Sequence, residues 1–250
     1  MTREIVICAT QRSGSTLLCE DIRATGHLGL PNEHFLPCLN KLEAADWPDR
    51  LAADRTKFST PNGVYGVKVM MSYLGDIDAR LAEAAGKTPG SDTRQPFPEF
   101  RALFADARFV WLRRINHTEQ AISREMARQT GVTHAVQDPN APSFMRRNVV
   151  AYDDDYNAAA KVDIDSIIAE INAIAAENEK WLYFFKQWDI EPLMIEYETI
   201  LDDPYAHIRR IAEFAGVDLP DWTHERRLAK LANARSEDLY HRVLEKMLRD

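Results

Sequence analysis

The residues of this chain best suited to chemistry sit close together near its start. In ICATQRSGSTLL, Ile7 to Leu18, an apolar run gives way to a short polar loop and then to a helical apolar pattern. A nucleotide-binding loop of the Walker type reads G-x4-G-K-[ST] between a strand and a helix. Here Ala9 holds the first glycine's place, Gly14 keeps the second, Ser15 replaces the lysine and Thr16 keeps the hydroxyl. Gly14 lets the backbone approach an anion closely. The free N–H groups and the dipole of the helix start favour negative charge there. Arg12, Ser13, Ser15 and Thr16 add side-chain donors. The loop therefore reads as a cradle for a phosphate-like anion. An ordinary strand–turn–helix with a serine N-cap would need fewer donors.

Other charged residues suggest how that anion is neutralised. Enzymes that hydrolyse ATP or GTP hold Mg²⁺ with an acid at the end of a neighbouring apolar strand. In this sequence FVWL runs into Arg113 and Arg114, and YGVKV carries Lys68. Cations stand where the metal-binding carboxylate belongs, which favours group transfer without a metal. The alternative is a degenerate P-loop nucleotide-binding module or NTPase-like protein without such transfer.

Alternating patterns must position these groups. Glu4–Ala9 reads as a buried strand and Ser15–Thr25 as a helix closed by Gly26. Gly26–Pro37 has no period and reads as a loop. Tyr65–Val69 is a second strand, followed by a helix over Asp76–Ala85. Arg108–Leu112 is a third strand, followed by a helix over His117–Gln129. Pro192–Glu196 is a fourth strand, followed by a helix over Pro204–Ala215. Strands alternating with helices predict an α/β fold: a P-loop-like parallel sheet with helices on both faces. One domain, 1–250, is expected, with a helical and loop insertion at about 138–190 forming the acceptor side. Within it, Ile164 to Phe185 follows one helix face and reads as core. The acidic run Asp153 to Asp155 reads as a solvated loop.

Composition narrows the partners. With 250 residues and 45% apolar content the chain can bury a sizeable core. A net charge of −8 disfavours a nucleic-acid surface. No stretch reaches the ~20 apolar residues of a membrane span, and MTREIVICAT is too short and too soon polar for a secretory signal. Cys8, Cys19 and Cys38 show no metal spacing, and their odd count points to reduced thiols in a cytoplasmic protein. The histidines likewise lack ligand spacing, so no metal site is expected.

Read in order, ATQRSGSTLL, RATG, LPNEHF, GVKVM, VWLRR…EQAIS, KWLYFFKQWDIEPLMIEYETILDDP and LAKLAN resemble the bacterial sulfotransferases typified by trehalose 2-sulfotransferase. The resemblance covers most of the chain. It implies a sulfotransferase that moves the sulfuryl group of 3′-phosphoadenosine 5′-phosphosulfate (PAPS, leaving PAP) to a hydroxyl, commonly of a carbohydrate or glycolipid. It implies that Arg12, Ser13, Gly14, Ser15 and Thr16 grip the 5′-phosphosulfate, Arg12 also serving catalysis. Arg114 and Ser123 would hold the 3′-phosphate. In many sulfotransferases that arginine occupies the place of Ile115 here, so Arg113 also stays open, with Arg114 preferred. The resemblance makes Glu33 the general base. His34 is the rival, because its reference pKa near 6.5 suits the task. Lys68 could stabilise the leaving bridge or merely snorkel. Glu196-Tyr197-Glu198 is implied to be a loop-positioning element. Residues 36–60 and 138–163 are expected to shape the acceptor pocket, with Trp47, Phe58, Phe144 and Tyr152 available for stacking on sugar and Arg146 and Arg147 for an anionic group. The family includes dimers, so a homodimer is compatible with the sequence, although no interface is legible in it.

Overall fold

The computed structural model describes residues 3–90, 95–136, 149–223 and 225–249. In chain order the elements are β1 (Arg3–Ala9), α1 (Ser15–Ala24), α2 (Phe35–Lys41), a 3₁₀ turn (Ala44–Asp46), α3 (Trp47–Lys57), β2 (Val64–Met70), α4 (Met71–Ala84), α5 (Pro98–Leu103) and β3 (Arg108–Arg113). Then follow α6 (His117–Thr130), β4 (His134–Val136), β5 (Val149–Ala151), α7 (Ile164–Gln187), β6 (Leu193–Glu196), α8 (Tyr197–Asp202), α9 (Ala206–Ala215), β7 (Leu228–Ala229) and α10 (Ala234–Met247). Contacts divide the chain into two compact units, Met1–Arg113 with Glu177–His224, and Arg114–Ala176 with Glu225–Asp250.

The first unit is built on a four-stranded sheet in the order β2-β1-β3-β6, and every pairing is parallel. Successive strand side chains point to opposite faces. Ile5 to Ala9 are nevertheless all buried, so both faces of β1 are covered. Such strands read as continuous apolar runs rather than alternating ones, which is why IVICA is legible as a central strand. From β1 the chain goes first to β2 on one side, then to β3 on the other. That reversal is a topological switch point at the carboxyl end of β1, the kind of place where open α/β sheets bind ligands.

Aromatic packing fixes the end of β1. Trp181, Phe184 and Phe185 on α7 pack with Phe100, Phe109 and Trp111, and the Trp181 and Phe185 rings lie stacked with centroids 5.7 Å apart. The Trp181 indole donates to the Ala9 carbonyl at 3.0 Å. The YETILDDP segment has a structural part. The Asp203 carboxylate accepts from the Tyr205 and Ala206 N–H groups at 2.7 and 3.1 Å, starting α9 and holding its own pKa below the usual range. His207 on that helix meets Asp21 of α1 at 3.0 Å, both buried.

The second unit has its own core, Ala121, Ile122, Met126, Ile167, Ile174, Leu239 and Val243. A small sheet, β5-β4-β7, belongs to it. Asn233 caps α10 with a capping box to Ser236. Asp153 to Asp155 are exposed, as their polarity predicts.

Three local expectations change. Helix α4 starts at Met71 rather than Asp76, because Met71, Leu74 and Ile77 are buried at helical spacing despite Gly75. The supposed loop ends early, since Phe35 begins α2 and Pro37 sits in its first turn, where a proline costs no helical bond. Residues 36–60 are largely helical, and Trp47 is fully buried against Phe35 with ring centroids 6.1 Å apart. Trp47 is therefore core rather than a sugar platform. Among the described residues no helix is long and apolar enough to cross a membrane.

Candidate functional site

The loop from Thr10 to Gly14 joins β1 to α1 at the sheet's reversal point. Two successive backbone features shape it: Arg12 has φ 62 and Gly14 has φ 88, both left-handed. Residues of that kind turn consecutive N–H groups toward one concave side, a nest for an anion. Gly14 is the N-cap of α1, and no side chain bonds to the cap. The first-turn N–H groups of α1 therefore have neither an intrahelical partner nor a side-chain cap. Ser13 is fully buried, and its hydroxyl has no hydrogen-bond partner. A buried, unsatisfied donor costs about 1–3 kcal/mol. Its presence here fits a loop completed by an anionic group.

Gly14 is required for a second reason. A Cβ placed on it would lie 2.1 Å from the ring of Tyr197, the first residue of α8. The aromatic ring seats directly on the cradle, so the IEYE stretch supports the loop mechanically.

The loop after α1 carries Glu33 to the rim of this cradle. It is pinned to β2 along its length. A Cβ on Gly29 would meet the Gly66 nitrogen at 2.4 Å, and one on Gly66 would meet Pro31 at 2.9 Å. The Lys68 N–H donates to the Asn32 carbonyl at 3.0 Å, and the Asn32 side chain accepts from the Glu33 N–H at 2.8 Å. Both carboxylate oxygens of Glu33 are engaged. Oε1 lies 2.9 Å from Lys68 Nζ, and Oε2 accepts from the Tyr73 hydroxyl at 3.0 Å. Burial first, and then the Glu33 carboxylate, push the Tyr73 phenol well above its ordinary pKa, so it stays a donor. The Lys68 ammonium also reaches Thr16 Oγ1 of the cradle at 3.4 Å. Lys68 is only 3% exposed and does not snorkel.

His34 faces the other way. Its ring stacks on Phe58 with centroids 3.8 Å apart and planes 15° from parallel, and Nε2 lies 3.2 Å from the Leu30 carbonyl. Burial lowers its pKa to about 4. Phe58 is thereby engaged as well. All three cysteines are free and buried. Burial raises each thiol, Cys19 to about 11, so they are inert fillers.

Arg114 and Ser123 belong to the second unit, Arg114 just before α6 and Ser123 within it. Arg114 is buried, and its guanidinium meets Glu119 at 2.5 Å. Arg113, at the end of β3, instead lies over the Trp111 ring at 4.9 Å and contacts the Met194 sulfur at 3.5 Å. Phe144, Arg146 and Arg147 lie outside the described residues. Among the described residues no group of three or more His, Cys, Asp or Glu side chains could hold a metal ion.

The structure brings together the loop residue Thr16, Glu33 and Lys68, all singled out in the sequence. Sequence reasoning missed Tyr73, which no motif marks, and it gave Lys68 no partner, although a lysine inside an apolar strand was itself a signal. Fold and loop together define an α/β protein with a glycine-turned loop and a buried, unpartnered serine hydroxyl at the start of its first helix. The family model of the Stf0 sulphotransferases matches residues 4–58 and 50–246. The chain belongs to that family and is a sulfotransferase. It is 28% identical over 268 residues to the trehalose 2-sulfotransferase of Mycobacterium tuberculosis (strain ATCC 35801 / TMC 107 / Erdman), covering 94% of this chain and 92% of that one. It is 26% identical to the trehalose 2-sulfotransferase of Mycolicibacterium smegmatis (strain ATCC 700084 / mc(2)155), covering 98% and 96%. Among solved structures, the sulfotransferase domain from the curacin biosynthetic pathway matches with a TM-score of 0.47 at 14% identity, over 94% of this chain and 82% of that one. Retinol dehydratase in a complex with retinol and PAP matches with a TM-score of 0.43 at 12% identity, over 100% and 83%.

Proposed function

We propose that this chain transfers the sulfuryl group of PAPS to a hydroxyl of a carbohydrate or glycolipid, with Glu33 as general base and no metal. The observation that carries the reading is the shared ammonium. Lys68 stands 2.9 Å from Glu33 and 3.4 Å from Thr16, so one cation joins a carboxylate to the anion cradle. A base at the rim of the cradle is where an acceptor hydroxyl must lose its proton.

PAPS supplies an electrophilic sulfuryl group on a phosphate leaving group. Arg12, Ser13, Gly14, Ser15 and Thr16 bind the 5′-phosphosulfate, Ser13 through its otherwise unpartnered hydroxyl. Negative charge grows on the leaving phosphate as its bond to sulfur breaks. The α1 N-terminus offers preorganised N–H donors to that charge, and the Arg12 guanidinium is assigned to the same group; fixed donors of this kind are where enzymes gain most. Glu33 takes the proton of the acceptor hydroxyl, a contribution of about 10²–10⁴-fold in rate. His34 is not chosen, because its ring is stacked in the core on Phe58. The resemblance assigns the 3′-phosphate to Arg114 and Ser123; Arg113, spread over Trp111, is the weaker candidate. Three buried free thiols suit a reducing compartment, in keeping with a cytoplasmic enzyme. Trehalose and related sugars are the first acceptors to try, given the names of the relatives.

The purified chain, incubated with ³⁵S-labelled PAPS and a panel of sugars and glycolipids, should transfer label to at least one, and PAP should bind in calorimetry. Glu33→Gln should abolish turnover without weakening PAP binding. If no acceptor is labelled and PAP does not bind, the reading fails.

A further inference from the structure

We infer that Lys68 is a shared counter-ion linking the charge on Glu33 to the charge in the cradle, and that Tyr73 is the positioning residue that keeps Glu33 in place when Lys68 turns to the donor. The inference rests on the sulfotransfer reading and adds to it a coupling between base and anion site.

The argument starts from what the loop lacks. The lysine position of a Walker-type loop is occupied by Ser15. The ammonium comes instead from the neighbouring strand: Lys68 in β2 pairs with Ile7 in β1 and sends Nζ to Thr16. An ammonium has three donors and no acceptor. One points at Glu33 and one at the Thr16 hydroxyl, leaving a third direction for an anion held by the same loop. Lys68 is 3% exposed, so water screens these interactions poorly. One buried cation facing two anionic sites cannot satisfy both fully. Whatever neutralises Glu33 must strengthen its hold on the cradle's anion, and by linkage the converse is true.

The reaction performs that neutralisation. The S–O bond to the phosphate breaks and its electron pair goes to the phosphate oxygen. The S–O bond to the acceptor forms, and the acceptor's proton goes to Glu33. Negative charge thus leaves Glu33 as it arrives on the leaving phosphate, and Lys68 stands between the two. Tyr73 donates to the other carboxylate oxygen, so Glu33 keeps one fixed partner throughout.

PAP binding is measured by calorimetry in the full-length wild type, E33Q, K68M and E33Q/K68M. E33Q should bind PAP several-fold more tightly than wild type. K68M should bind it about tenfold more weakly, the effect of losing one charged hydrogen bond. The double variant should match K68M, with no gain from the glutamine. In turnover, K68M should lose about 10²–10³ in kcat, as for one lost transition-state donor, with little change in the acceptor KM. Tyr73→Phe should lower kcat several-fold and leave PAP affinity unchanged. The coupling is overturned if E33Q fails to tighten PAP binding, or if it tightens it equally with and without Lys68. Should K68M not fold, K68Q and E33Q/K68Q take its place in the same cycle. If wild type binds no PAP, the sulfotransfer reading itself has failed. If it binds PAP and the effects are additive, only the coupling has.

Discussion

The indole N–H of Trp181 donates to the carbonyl of Ala9 at 3.0 Å, with both residues fully buried. Ala9 is the last residue of β1, the point where the chain leaves the sheet and turns into the cradle. A residue of the long helix, far away in sequence, therefore fixes the hinge of the anion loop. Trp181→Phe keeps a ring in the aromatic cluster but strands the carbonyl. It should lower stability by about 1–3 kcal/mol in denaturant unfolding. A melt unchanged from wild type would remove this role.

Gly14 carries two constraints, a φ of 88 and the Tyr197 ring. Gly14→Ala should cost about 2–4 kcal/mol, from the left-handed backbone and from overpacking. It should also weaken PAP binding at least tenfold by deforming the nest, because a charged hydrogen bond is worth about that much. Adding Tyr197→Ala should recover part of the stability, since it removes the clash and leaves only the backbone strain. Calorimetry and thermal melts test both statements.

His34 should show itself through acid stability rather than rate. Its pKa falls from 6.5 in the ordinary state to about 4 in the fold. The unfolded chain therefore binds the proton more readily. The resulting stability is present above pH 6.5 and is lost as pH falls toward 4, by about 2–3 kcal/mol. His34→Asn should flatten that slope while keeping turnover within several-fold of wild type at neutral pH. A loss of turnover as severe as that of Glu33→Gln would reinstate His34 as the base.

Metal dependence separates sulfotransfer from nucleotide hydrolysis. The two strands that flank β1 carry cations: β3 ends on Arg113 and β2 contributes Lys68. Turnover should be unchanged by EDTA and PAP should bind equally well with and without Mg²⁺. Tight ATP or GTP binding that requires Mg²⁺ would favour the degenerate P-loop reading instead.

The parts of the site that local physics dictates were legible in the sequence. A buried strand, a polar loop with one glycine and an apolar helix declare an anion cradle through short-range rules alone, as IVICA, TQRSG and STLL do. Lys68 was visible as a charge inside an apolar strand, but its partner was not. That pairing depends on the parallel register placing Lys68 opposite Ile7. The same limit hid Tyr73 and the seat of Tyr197 on Gly14, both contacts between distant segments. Where the sequence misled, burial overrode the signal. Trp47 sits among polar residues and looks like a surface aromatic until α3 turns it inward. The helix at Met71 was masked by a glycine that tertiary packing tolerates.

The close approach of Gly29 to Gly66 has a consequence for engineering. Gly29 turns its bare face onto the Gly66 backbone and Gly66 turns its own onto Pro31, so the loop carrying Glu33 rests on β2 with no room for an added side chain at either glycine. Anyone seeking to retarget this enzyme to a new alcohol should leave that seam untouched. The helical stretch beyond Phe35 can be diversified without disturbing that contact.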